Sequence, residues 1–184
     1  MMHPRRGIMN IDVLSFERLA HRVFEEVGGE HRKILEDTGK NLILRRLAEE
    51  KKDELTLLGG NMKKLGYISE IKSLLSEFTQ YRVTSTQLEE MMERNQNNPQ
   101  LYFKLKDMKV IYDSFQAYLE GTYLTAEELL GALEQTVERS EAVQGSVIVL
   151  DGYTGFTPVQ LSLLKKLLAL AERVSVTLTM DAAE

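Results

Sequence analysis

The sequence predicts a helix-dominated α/β fold, in which a small parallel sheet of about three strands is interrupted by a large helical sub-domain. Strand-like apolar patterns occur only towards the two ends of the chain, at residues 11–14, 147–150 and 174–180. Between the first two of these, apolar residues recur with the helical period. With 184 residues and a hydrophobic fraction of 43%, the chain can form one domain with a core and an inserted sub-domain.

The predicted helices begin at capping residues and end at glycines or polar breaks. Ser15 precedes an amphipathic run that Gly28 and Gly29 terminate. Thr157-Pro158 combines an N-cap with a proline in the first helical turn. Helices are expected at 16–27, 39–51, 67–81, 84–92, 101–119, 125–138 and 158–172.

The order of these elements predicts two structural units. The strand patterns fall within residues 1–37 and 140–184, which we expect to form a sheet-bearing core. Residues 38–139 carry the helical period almost throughout, and we expect them to form an inserted helical sub-domain.

The stretch V-I-V-L-D-G-Y-T-G-F-T-P-V-Q, residues 147–160, carries the chemistry of this sequence. Its four apolar residues predict a buried strand, and Asp151 follows at the carboxyl end, the edge of an open α/β sheet where ligands bind. Nucleotide-binding folds use this arrangement to hold a carboxylate near a magnesium ion. Gly152 follows Asp151, and a glycine has no side chain that could take a proton from water. The pattern therefore indicates a nucleotide site without its catalytic group.

This stretch resembles the second nucleotide motif of UvrD-like superfamily 1 helicases, Asp-Glu-x-Gln-Asp-x-x-Pro-x-Gln. Asp151, Pro158 and Gln160 fall in register with that pattern without a gap. Asp181, at the end of the last predicted strand, stands where a helicase shows Gly-Asp. Among these helicases, the stretch is most similar to that of AddB, the B subunit family of bacterial AddAB helicase-nucleases. The Glu, Gln and Asp of the active motif are replaced by Gly152, Thr154 and Gly155.

The resemblance implies a partial RecA-like fold of the P-loop NTPase class and a role in double-strand-break processing and recombination. The phosphate-binding loop G-x-x-x-x-G-K-[ST] does not occur in these 184 residues, so we expect no catalytic residues and no cofactor here. For the full-length family the resemblance implies ATP with magnesium and an iron–sulfur cluster. It also implies an AddA-type partner subunit, and an inactivated helicase part that reads single-stranded DNA for the hotspot sequence Chi.

A second resemblance lies in the first predicted helix. The segment V-L-S-F-E-R-L-A-H-R is similar to the helicase segment Thr-Phe-His-Ser-Leu-Ala-x-Arg, which borders single-stranded DNA in active relatives. Ser15, Arg18, His21 and Arg22 are therefore the candidate DNA contacts. The simpler interpretation of each is a helix cap or a solvated side chain on an amphipathic helix. Tyr153 and Phe156 either fill the space of a missing ligand or stack on one, and the sequence does not choose between these roles.

Composition excludes several classes of protein. The net charge of −5 argues against a general nucleic-acid coat and predicts weak binding to DNA by this chain alone. The chain has no cysteine, its three histidines lack metal-site spacing, and its apolar runs are too short to span a membrane. Without a signal-peptide pattern, the sequence favours a cytoplasmic protein. The alternative function is an interaction domain that docks the partner subunit without binding DNA.

Overall fold

The computed structural model describes residues 11–28, 30–61 and 64–178. Within these ranges, seven α-helices are interspersed with four short strands. The elements are α1 (Phe16–Val27), β1 (Lys33–Ile34), α2 (Asp37–Glu50), α3 (Leu65–Gln80), α4 (Ser85–Arg94), α5 (Pro99–Leu119), β2 (Tyr123–Leu124), α6 (Ala126–Thr136), a 3₁₀ turn (Val137–Arg139), β3 (Val147–Tyr153), α7 (Pro158–Leu170) and β4 (Arg173–Leu178).

Local capping sets the helix starts. The Ser15 hydroxyl accepts a hydrogen bond from the Arg18 amide at 3.3 Å, and α1 spans the predicted residues. Capping boxes begin α4, α6 and α7, at Thr84, Thr125 and Thr157. These bonds join residues three apart in sequence, so their pattern depends on no tertiary contact.

One hydrophobic core lies among α2, α3 and α5. It includes Leu44, Ile68 and Ile111, which are almost fully buried. Asp107 of α5 is also completely buried, and it accepts backbone hydrogen bonds from the turn that follows α2. Helix α4 packs on the outside of α5 through Leu88.

A second core lies among α1, α6 and α7. Ala20, Val23, Leu133 and Leu163 are fully buried in it. The carboxylate of Glu26 closes one side by accepting hydrogen bonds from the 140–142 turn. Helix α6 therefore packs with the elements that flank the 38–139 segment, although the predicted boundary placed it inside the helical sub-domain. The division into two units stays a prediction.

The described strands form two parallel pairs. Strand β1 pairs with β2, and β3 pairs with β4 in the register Val147 with Arg173 through Leu150 with Val176. Beyond Leu150, Tyr153 of β3 lies opposite Leu178, so β3 holds one extra residue and bulges at Asp151 and Gly152.

Two expectations about the sheet do not match the structure. The prediction of a strand at 11–14 is wrong, because this segment is irregular and pairs with no strand in the part of the chain that the structure describes. As a consequence β3 has one described partner strand, where a sheet of about three strands was expected. Val13 is 91% exposed and packs too little to be held in a sheet. A two-residue strand, β2, also occurs within the segment expected to be helical.

A buried ion pair joins the two cores. Lys40 of α2 is almost fully buried, and its Nζ lies 3.1 Å from a carboxylate oxygen of Glu127 on α6. Asp37 lies 3.6 Å from the same ammonium group and also pairs with Lys72 of α3. The pair connects the two cores because each side chain comes from a helix of a different one. Among the described residues, no helix is long and apolar enough to cross a membrane.

Candidate functional site

The candidate site begins at the bulge that ends β3. Asp151 is exposed there, and its Oδ1 accepts a hydrogen bond from the hydroxyl of Thr177 on β4. The same hydroxyl oxygen accepts a hydrogen bond from the Gly152 amide at 3.3 Å. Thr177 thus ties the carboxylate and the following peptide to the neighbouring strand, and one carboxylate oxygen is already engaged within the protein.

Gly152 holds the left-handed conformation that the bulge requires. Its φ is +79°, a value that residues with a Cβ adopt only at a cost. A Cβ built on Gly152 would meet no atom within 4 Å, so the backbone conformation rather than crowding favours glycine. The position that holds the water-activating Glu in an active motif here has neither a carboxylate nor any other group that could activate water.

Gln160 has a structural task in this protein. Its Oε1 accepts a hydrogen bond from the Thr157 amide at 2.9 Å, and the Thr157 hydroxyl accepts one from the Gln160 amide at 3.4 Å. The side chain that falls in register with the helicase motif therefore closes the capping box of α7. Gly155 lies in the segment between β3 and α7, and Asp181 lies outside the described residues.

An aromatic cluster connects the loop after β3 to the start of α1. The rings of Tyr153 and Phe156 stack at a centroid distance of 4.8 Å and an angle of 23°. Phe16 packs on Tyr153 at 5.9 Å. Burial raises the pKa of the Tyr153 phenol above its usual value. The two aromatic residues thus pack within the protein and fix the loop against α1.

The four candidate DNA contacts all belong to α1 or its cap, and all are exposed. Arg18, His21 and Arg22 share one face because they are three and four residues apart. Arg22 forms an ion pair with Asp12, so part of its charge is neutralised locally. The Ser15 hydroxyl is occupied as the helix cap. Arg18 and His21 are therefore the members of the set with no ion pair or side-chain hydrogen bond among the described residues.

Several lysine and arginine side chains outside α1 are paired with carboxylates. Lys109 lies within 3.1 Å of Glu89 and within 2.7 Å of Asp113. Lys166 lies 3.0 Å from Glu138. Arg46, Lys51 and Lys52 also form ion pairs along or next to their own helix.

A groove of about 560 Å³ lies beside β3. One wall is residues 11–16, the other is residues 146–151 with Tyr153, and Leu19, Val23 and Leu167 contribute apolar side chains. Its charged lining residues are Asp12, Arg22 and Asp151. The sequence did not predict this groove, because the strand expected at 11–14 would have filled or bordered it as part of the sheet.

The groups that the helicase resemblance implies do not fit the residues present here. A magnesium nucleotide needs a cradle of amides for its phosphates, and these 184 residues do not contain the loop G-x-x-x-x-G-K-[ST] that supplies one in nucleotide-binding folds. An iron–sulfur cluster needs cysteine ligands, and the sequence has none. The described residues also contain no group of three His, Asp or Glu side chains placed to hold a metal ion.

The sequence analysis did not identify Thr177 as a site residue, because in the sequence it is only a polar residue between the apolar positions of β4.

Comparison with known proteins identifies the family. The sequence profile described as "ADDB, N-terminal" matches residues 1–184, the whole chain. The chain belongs to the AddB N-terminal family. The resemblance to AddB is thereby confirmed.

Relatives of this AddB-family chain share one description, the B subunit of an ATP-dependent helicase/deoxyribonuclease. The protein of Lachnoclostridium phytofermentans is 45% identical over 183 residues, 100% of this chain and 16% of that protein. That of Alkaliphilus metalliredigens is 37% identical over 175 residues, 95% of this chain and 15% of that protein. That of Caldanaerobacter subterraneus is 38% identical over 180 residues, with 98% and 15% covered. The chain thus spans about a sixth of the length of these relatives.

Proposed function

We propose that this chain is a non-motor part of the B subunit of an ATP-dependent helicase/deoxyribonuclease that acts in double-strand-break processing and homologous recombination. The observation that carries the proposal is the end of β3, where Thr177 engages Asp151 and Gly152 supplies no base. The names of the relatives support the subunit assignment. In this proposal the chain contributes a binding surface to the complex and no ATP turnover of its own.

We also propose that β3, α7 and β4 belong to a partial RecA-like core. The parallel β3–α7–β4 unit, with a carboxylate at the carboxyl end of its first strand, supports this assignment. The helices between residues 38 and 139 are then the inserted sub-domain of that core, with the exception of α6, which packs with α1 and α7.

The proposed ligand is single-stranded DNA, which reaches the exposed face of α1. Arg18 supplies a charge for a backbone phosphate, and His21 lies one turn further along the same face. Arg22 contributes less because Asp12 already pairs with it. The short basic face and the net charge of −5 both favour weak binding without sequence discrimination, so Chi reading belongs to the intact complex with its A subunit.

The test is fluorescence anisotropy of a labelled single strand with the variant Arg18→Glu/Arg22→Glu. We expect this variant to lose binding, because both exposed cations of the α1 face are reversed. The matched control is Arg45→Glu/Arg46→Glu on α2, which changes the net charge equally on another exposed helix surface and should bind normally. Binding of the unaltered chain should weaken with salt by a log–log slope of about −0.7 per phosphate contacted. Equal loss in both variants would point to net charge alone and contradict the α1 assignment.

A second candidate function is docking of the A subunit without DNA contact. The observation that favours it is an exposed leucine stripe on α7, where Leu161 and Leu168 are 43% and 56% exposed and Leu164 lies between them. The variant Leu161→Lys/Leu168→Lys separates the two candidates. Lower affinity for the immobilised A subunit, with DNA binding unchanged, would support docking. The Arg18→Glu/Arg22→Glu variant should show the reverse pattern if α1 binds DNA.

A further inference from the structure

Two short strands carry the chain between the two hydrophobic cores. Strand β1 leads into α2, and α5 leads back through β2 into α6. The two crossings lie side by side because β1 and β2 pair in parallel. The Lys33 amide donates a hydrogen bond to the Thr122 carbonyl at 2.9 Å. The Leu35 amide donates one to the Leu124 carbonyl at 2.8 Å. Helices α2–α5, the helical lobe (residues 37–119), therefore join the α1–α6–α7 core through one two-stranded connection.

The two cores stay separate on either side of this connection. Ile34 and Leu124 pack in the second core, whereas Leu35 and Tyr123 pack in the first. Among the described residues, no buried apolar side chain belongs to both clusters. A cavity of about 10 Å³, with room for one water at most, lies where Lys40 of the lobe meets α6. The lobe and the second core thus share no apolar cluster, and units without a large apolar interface can move relative to each other.

Charged groups of α6 make the side-chain contacts with the lobe. Glu127 pairs with Lys40 of α2, and Glu134 pairs with Arg82 just after α3. The two glutamates lie on one face of α6, since they are seven residues apart, about two helical turns. Gly131 lies between them on that face, and a Cβ built there would meet no atom within 4 Å. No other element therefore packs closely against α6 between the two ion pairs.

Arg82 holds a strained backbone conformation at this contact. Its φ is +56°, and it is the only non-glycine residue with a positive φ in the described part of the chain. The Arg82 amide bonds the Thr79 carbonyl at 3.1 Å. The Val83 amide bonds the Phe78 carbonyl at 2.8 Å. This helix ending most often uses glycine at the position of Arg82. Glycine would relieve the strain, but it would also remove the ion pair with Glu134.

We propose that the helical lobe turns as a rigid body about the β1–β2 connection, and that Glu127 and Glu134 hold it in the closed position through their ion pairs. Opening breaks neither hydrophobic core. Lys40 is almost fully buried in the closed position, so it regains hydration on opening, which offsets much of the loss of its ion pair. The motion shifts the lobe relative to α1, which packs on α6. The proposal does not depend on DNA binding.

The test is pulsed electron spin resonance, which measures distances between two nitroxide labels on introduced cysteines. The chain has no cysteine of its own, so both labels go to the intended sites. Thr86→Cys on α4 and Lys165→Cys on α7 are exposed positions on the two units. At low salt we expect one main distance and a second one with a population of about a tenth or less. Thr86→Cys with Lys106→Cys on α5 lies within the lobe and should give a single distance.

Charge reversal on α6 should open the lobe. Glu127→Lys/Glu134→Lys replaces both attractions with repulsions, so the second distance should become the major one. The matched control is Glu25→Lys/Glu93→Lys, which changes the net charge equally at exposed positions of α1 and α4. This control should leave the distance distribution unchanged.

A milder variant keeps the test valid if the double reversal does not fold. Arg82→Gly removes one ion pair and suits the positive φ, so the population of the second distance should rise several-fold without a lower urea midpoint. Salt should act in the same direction, because the Debye length falls to about 3 Å at 1 M and Arg82 is half exposed. Lys40→Met/Glu127→Leu should suppress the second distance, since an apolar contact replaces the buried pair.

Three results would overturn the proposal. A single distance between α4 and α7 in the unaltered chain, in Arg82→Gly and in the double reversal would show that the two units form one rigid body. An equal change in Glu25→Lys/Glu93→Lys would assign the effect to net charge. A second distance for the pair within the lobe would mean that the lobe unfolds locally and does not turn as a unit.

Discussion

The side chain of Asp107 on α5 anchors the turn after α2 by hydrogen bonds, and removing its carboxylate should destabilise the fold. Its two oxygens accept hydrogen bonds from the Thr56, Leu57 and Leu58 amides at 2.9, 2.6 and 2.9 Å. The side chain is completely buried, so no water competes for the three amides. In Asp107→Ala these amides lose their only described partner, and the turn that carries Leu55 and Leu58 into the first core loses its anchor.

The magnitude follows from how exposed each amide becomes. Thr56 and Leu57 are exposed residues, so their amides regain water and each lost bond costs about 0.5–1 kcal/mol. Leu58 is buried, and an unsatisfied buried amide costs about 1–3 kcal/mol. The expected loss of unfolding free energy is therefore about 2–5 kcal/mol. Asp107→Asn keeps one acceptor oxygen, which can serve two amides at most, so its loss should be smaller.

The assay is urea denaturation followed by circular dichroism at neutral pH. Asp53→Ala in the same turn is the matched control, since Asp53 is exposed and should change the unfolding free energy by no more than about 0.5 kcal/mol. An Asp107→Ala protein within about 1 kcal/mol of the unaltered chain would refute the argument that the buried carboxylate anchors the turn.

Three further predictions concern the Lys40–Glu127 ion pair, the hydrogen bonds of Glu26 and the backbone conformation of Gly152. Lys40→Ala should cost about 2–3 kcal/mol because it leaves Glu127 largely buried without its cation, and Lys40→Met/Glu127→Leu should recover most of this in the same urea assay. The hydrogen bond from Ser140, together with two amides, holds the pKa of Glu26 below its usual 4.5 despite partial desolvation. The unaltered chain should therefore have a higher unfolding free energy than Glu26→Gln at neutral pH. This difference should shrink as the pH falls below about 4.5 and vanish below the pKa of Glu26 in the folded protein. A difference that stays constant at all pH values would contradict this prediction. Gly152→Ala should cost about 1–2 kcal/mol through its positive φ, and Gly152→Glu should release no phosphate from ATP in a magnesium-dependent assay.

Much of the helical architecture was predictable because its causes are local. The bounds of α1 follow from the Ser15 cap and the apolar period, and α5 shows its stripe over 21 residues. The capping box that begins α7 was also predictable, since Thr157 and Gln160 have the required spacing. The sequence analysis instead assigned Gln160 to the nucleotide motif, whereas in the structure its side chain closes the capping box of α7.

The candidate site was predictable only in part. Asp151 and Gly152 stand at the end of a strand as the pattern indicates, and the bulge explains why a glycine suits that position. The partner of Asp151 is Thr177, which lies 26 residues further along the chain. No spacing rule connects these two residues, because their contact depends on the register of β3 against β4.

The sequence by itself determined which segments become helices, that Val147–Leu150 becomes a strand, and that the strand ends in a carboxylate followed by a glycine. These features depend on side-chain patterns, capping and backbone preferences within a few residues. Tertiary structure alone decided that residues 11–14 stay unpaired among the described strands, that α6 packs with α1 and α7, and that Asp107 is buried to hold a turn about fifty residues away. Each of these outcomes depends on which distant surface is available for pairing, and that surface exists only after the chain has packed.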